Sequence, residues 1–112
     1  MSTPPFAAIP GPSRCTQQEV STTNTDFGLK DEKGRAVGYR VRIWKRTYTE
    51  DSNGDFLHAP GDFWIGDTFA TRDGHIYGSL TSLPEASSLQ ETKALAQKRM
   101  ATAKARYTKK YA

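Results

Sequence analysis

The sequence predicts an α+β fold: an antiparallel sheet of four to five strands with one long C-terminal helix packed on one face, preceded by a disordered N-terminal arm. Three observations carry this expectation. Apolar and polar side chains alternate from Ala36 to about Thr49. An Asp73-Gly74 pair sits between two further alternating runs. Beyond Ser88 the apolar spacing lengthens from two to the three and four of a helix.

Residues 1–24 read as the arm. They hold four of the six prolines, many Ser, Thr and Gln, and few large apolar side chains. Such a stretch buries too little surface to offset the entropy of ordering it. A single domain over 25–112 follows, with the sheet at about 26–81 and the helix at about 83–110. Phe27 and Leu29 begin an alternation that reaches a turn at Glu32-Lys33-Gly34-Arg35. The clearest strand comes next. Val37, Tyr39, Val41 and Ile43 fall on one side, and Arg40, Arg42, Trp44, Arg46 and Tyr48 on the other, because successive side chains point to opposite faces.

Asp51-Ser52-Asn53-Gly54-Asp55 has turn composition, since Asn-Gly tolerates positive φ. Phe56-Leu57 is a short edge strand by the same reading. Phe63 to Arg72 forms a strand, Asp73-Gly74 a two-residue hairpin loop, and His75 to Leu80 the return strand. That loop sets Arg72 opposite His75, Ala70 opposite Tyr77 and Thr68 opposite Ser79, on one face with Trp64. Phe63, Ile65, Phe69, Ile76 and Leu80 share the other face, the better core on apolar content.

Two capping boxes compete for the helix start, Ser82-Leu83-Pro84-Glu85 and Ser88-Leu89-Gln90-Glu91. Leu89, Ala96, Met100, Ala103 and Tyr107 make one stripe, narrow and alanine-rich, suited to close packing on a sheet.

Composition narrows the function classes. Net charge is +4, and it is uneven: residues 85–112 carry seven Lys/Arg against two acids, and the remainder nets −1. No apolar run is long enough to span a bilayer, and the first residues lack the pattern of a secretory signal, so a cytoplasmic protein without membrane contact is expected. One cysteine, Cys15, makes no internal disulfide. With only His58 and His75 beside it, a structural metal site is not expected, nor is any cofactor.

The leading candidate site is the arginine and aromatic face of the sheet: Arg40, Arg42, Trp44, Arg46 and Tyr48, joined by Trp64, Arg72 and Tyr77 from the hairpin. Arginine neutralises phosphate and aromatic rings offer bases a stacking platform. The basic helix is a second candidate, although the helix dipole and solubility account for much of its charge. Asp51, Asn53, Asp55 and Asp62 imitate a calcium loop, but Phe56 stands where that loop needs glycine, so a plain turn is the better reading. No catalytic constellation appears: there is no phosphate loop, no serine elbow and no Cys–His pair, and Asp67 and His75 fall on opposite faces. The expectation is therefore a non-enzymatic nucleic-acid-binding accessory protein, single-strand binding being one form of it. The rival is a protein-interaction module, such as an inhibitor, adaptor or assembly factor, using the same face for a protein or homodimer interface.

Overall fold

A computed structural model describes residues 15–49 and 61–112. Among the described residues five strands precede one helix: β1 Cys15–Lys30, β2 Ala36–Tyr48, β3 Gly61–Arg72, β4 His75–Ile76, β5 Thr81–Ala86 and α1 Leu89–Tyr111. All pairings are antiparallel. β1 lies beside β2 and β2 beside β3, while β4 and β5 share the far edge of β3. The α+β architecture, with the helix on one face of the sheet, is the one the sequence predicts.

β1 is longer than expected. It starts at Cys15, inside the stretch that composition assigns to the arm, and pairs with β2 from Cys15↔Tyr48 to Lys30↔Ala36. Composition misleads here because β1 is an edge strand that needs few buried side chains. Its β-branched Thr16, Thr22, Thr23 and Thr25 suit an extended backbone, and β2 supplies the ladder. Only its last third reaches the core, through buried Phe27 and half-buried Leu29. A bulge between Asp26 and Leu29 sets Leu29 opposite Val37. The Asp26 carboxylate accepts the Gly28 N–H at 2.8 Å there, and Gly28 has φ 73°. Residues 1–14 of the expected arm lie outside the described residues.

The Asp73-Gly74 hairpin forms as predicted, with Arg72 opposite His75 and the Tyr77 N–H donating to the Ala70 carbonyl at 3.0 Å. Both loop residues have positive φ, 50° and 82°, the type I′ geometry that follows the strand twist. The return strand nevertheless stops at Ile76 rather than Leu80. Gly78 (φ 86°) breaks it, and the chain rejoins β3 at Thr81, so Thr68 faces Thr81 and not Ser79. The first capping box is consequently part of β5, where Pro84 is tolerated at a sheet edge. The second box is the real one: the Ser88 side chain accepts the Glu91 N–H at 3.1 Å. The 51–55 turn, the 56–57 strand and the calcium-like loop fall outside the described residues except for Asp62. Its carboxylate accepts the Thr47 hydroxyl at 2.8 Å and lies 3.6 Å from Lys45 Nζ.

The faces of β3 are the main correction. Val37, Tyr39, Val41, Ile43 and Lys45 stand opposite Arg72, Ala70, Thr68, Gly66 and Trp64, so these side chains share the face beneath α1. Arg40, Arg42, Trp44 and Arg46 stand opposite Phe69, Asp67, Ile65 and Phe63 on the face turned away from α1. The sequence reading reverses β3 because it sends the larger apolar set to the core. The helix decides otherwise. Its buried residues are Thr92, Ala96 and Ala103, so its backbone rides close to the sheet, and the small side chains Gly66, Thr68 and Ala70 give it room. Gly66 is sterically required: a Cβ would sit 2.5 Å from the Arg42 carbonyl oxygen and 2.8 Å from Leu83 Cδ1. Leu89, Leu95, Met100, Tyr107 and Tyr111 complete the packing around the core.

Candidate functional site

The sheet face turned away from α1 is built around β2. Its even-numbered side chains emerge there by strand periodicity, giving Arg40, Arg42, Trp44 and Arg46, each half-buried, and Tyr48, buried at one end. The rings of β3 lie beneath the arginines. Phe69 is buried, with the Arg40 and Arg42 guanidinium carbons 5.4 Å and 5.2 Å from its centroid. Arg42 also stands 5.2 Å from the Trp44 ring, and Tyr48 meets Phe63 edge-on at 5.7 Å. Ile65 is half-buried opposite Trp44.

Each of these arginines has partners. Arg42 makes a two-pronged pair with Asp67, Nε to Oδ1 at 2.8 Å and Nη2 to Oδ2 at 2.7 Å. That carboxylate raises the guanidinium pKa further, against a smaller opposing effect of burial. Arg40 donates to the Asn24 side chain and, at 2.6 Å, to the Gly74 carbonyl. Arg46 donates through Nη2 to Gln17 Oε1 at 2.9 Å and through Nη1 to the Tyr48 hydroxyl at 3.2 Å. A guanidinium has five N–H donors, so each keeps donors for a further ligand while its plane is held over the sheet.

Three predicted members stand elsewhere. Trp64 packs against the core on the helix side, opposite Lys45 and Ala86. Arg72 is buried on that same side. Its guanidinium carbon lies 4.2, 5.1 and 5.8 Å from the ring centroids of Tyr77, Tyr107 and Tyr111, and its Nε donates to Asp31 at 3.1 Å. Tyr77 is exposed at the sheet edge but turned toward Arg72 and Arg35 rather than Trp44. Trp44 and Trp64 therefore occupy opposite faces. The difference follows from the β3 faces, which are the reverse of those apolar content suggests.

Asp31 was not singled out by sequence, and it organises this second cluster. Its carboxylate accepts from the backbone N–H groups of Lys33 and Arg35 and from the Arg35 and Arg72 side chains, all at 2.8–3.1 Å. Burial pushes its pKa up, but those N–H groups and the Arg35 charge outweigh it and hold the carboxyl at about 2. The sequence likewise does not reveal Asp67, Asn24 and Gln17 as partners of the β2 arginines. The signal for them is the parity of β1 and β3 against β2, which cannot be counted from sequence without the β1–β2 and β2–β3 registers.

The basic residues of α1 have a different character. Among the described residues the ion pairs lie in the sheet and its turns, and none involves α1. Lys93, Lys98, Lys104, Arg106, Lys109 and Lys110 are all exposed, and Glu91 is the helix's one acid. Among the described residues no group of His, Cys, Asp and Glu could hold a metal ion, and no helix is long and apolar enough to cross a membrane. No protein-family profile, characterised protein or solved structure matches the chain.

Proposed function

We propose that the protein binds nucleic acid through the face of its sheet that is turned away from α1, with Arg40, Arg42 and Arg46 contacting phosphate and Trp44 stacking on a base. The observation that carries this reading is the shared placement of those four side chains, half-exposed, on the face that α1 leaves open. Guanidinium planes already stacked on rings and fixed by side-chain partners are pre-organised, so little rotamer freedom is lost on binding. A flat aromatic surface with basic neighbours suits unpaired bases better than a duplex groove, which favours single strands. Tyr48 supports Arg46 rather than stacking. Trp64, Arg72 and Tyr77 have no part in it.

The test is a titration of single- and double-stranded oligonucleotides at several salt concentrations. The proposal expects salt-sensitive binding, stronger for the single strand. Arg46→Ala should weaken it, and Arg42→Ala with Arg46→Ala should weaken it further and flatten its salt dependence by about 0.7 in slope per lost phosphate contact. Wild-type protein that binds neither oligonucleotide at low salt would rule the proposal out.

A specific observation favours the rival reading of a protein or homodimer interface. Arg42 is neutralised by Asp67, and Phe63, Ile65 and Trp44 form a half-exposed apolar strip beside it. Aromatic and arginine side chains with local charge balance are the usual anchors of protein interfaces. A dimer on size exclusion that dissociates in Trp44→Ala would favour this reading.

A further inference from the structure

The cations of α1 border a groove that the sheet face does not share. It runs between α1 and β5, has a volume of about 350 Å³, and is lined by Lys98, Arg99 and Arg106 together with Tyr39, Thr81 and Thr102. No carboxylate lines it. Lys98 and Arg99 lie at mid-helix, where the macrodipole gives a cation nothing, and the positions three and four residues from Lys98, Arg99 and Arg106 carry no acid. Neither the helix dipole nor a helical ion pair accounts for Lys98 or Arg99. Arg99 reaches across the groove to donate to the Ser82 carbonyl at 2.8 Å, which fixes its plane between helix and strand and leaves other donors open. From Lys98 to Arg106 the helix advances roughly 12 Å.

We infer that this groove is a second binding track, for the phosphodiester backbone of a nucleic-acid strand, on the opposite side of the sheet from Trp44. Lys98 and Arg106 neutralise two separate phosphates of one strand, and the exposed Thr81 and Thr102 line the same groove as hydroxyl partners. With no aromatic side chain exposed along it, the track is indifferent to sequence. An anionic bilayer fits less well, because the exposed positions of α1 hold no large apolar side chain to enter lipid. The inference shares its ligand class with the proposed function but uses none of the same residues, so a chain holding both tracks engages two strand segments at once.

The test measures anisotropy of a labelled oligothymidylate against wild-type protein, Lys98→Gln with Arg106→Gln, and Arg42→Ala with Arg46→Ala, between about 50 and 200 mM salt. The helix variant should bind about tenfold more weakly at low salt, with the slope of log affinity against log salt reduced by about 1.4, and its circular dichroism should be unchanged. Unaltered affinity and slope in the helix variant overturn the groove and leave the sheet reading intact. Loss in the helix variant with none in the sheet variant supports the groove and overturns the sheet reading. Equal binding of a polyglutamate of matched charge overturns the nucleic-acid assignment of the groove.

Discussion

The two sides of this sheet use arginine and lysine in opposite ways. On the side away from α1 the guanidinium groups are tied into the fold: Arg42 to Asp67, Arg40 to Asn24 and Gly74, Arg46 to Gln17 and Tyr48. On the helix the cations project from an alanine-rich scaffold with no acid beyond Glu91. Net charge therefore says little about where a partner binds. The helix holds the excess charge, and the sheet holds the positioned charge. A polyanion held by the helix would be held mainly by electrostatics, whereas one on the sheet would meet aromatic rings as well.

The contrast predicts a graded response to substitution. The largest loss is expected where a cation is buried. Arg72→Ala would leave Asp31 with Arg35 and empty a space among three tyrosine rings, costing about 3–5 kcal/mol in urea unfolding. Acid probes the same cluster. Because the folded carboxyl of Asp31 titrates at about 2, below its ordinary 3.8, its contribution is present above pH 4 and is lost as pH falls from about 4 toward 2. The fall in urea midpoint over that interval should shrink in Asp31→Asn. Next comes Gly66→Ala, at about 1–3 kcal/mol, since the added methyl meets backbone and Leu83. Asp67→Asn should cost about 1–2 kcal/mol, because Arg42 is one-third exposed and water repays part of the lost pair. Smallest of all, Lys98→Gln with Arg106→Gln should move stability by less than about 0.5 kcal/mol. A helix pair as costly as Asp67→Asn would erase the distinction between positioned and surplus charge.

Local chemistry made much of the fold legible in the sequence. The β2 alternation, the Asp73-Gly74 hairpin, the Gly34 turn and the Ser88 cap are each specified by a few adjacent residues, and each stands where those residues predict. What the sequence left open depends on partners distant in the chain. β1 is a polar strand held by β2, so its own composition resembles an unfolded arm. β5 resembles a helix start because Ser82 and Glu85 have capping spacing, yet Ser88 provides the cap that is used. The site was legible along β2 alone. Its extension to Trp64, Arg72 and Tyr77 required the parity of β3, which small residues beneath α1 set and apolar content does not reveal.

The central claim is that Trp44 on the open face meets a base, and Trp64→Phe makes it directly measurable by leaving Trp44 as the one tryptophan in the chain. Titrating that variant with oligothymidylate at low salt should quench its fluorescence, and added salt should restore it. Binding detected by anisotropy with no change in Trp44 emission would contradict the claim and move the nucleic acid to the helix.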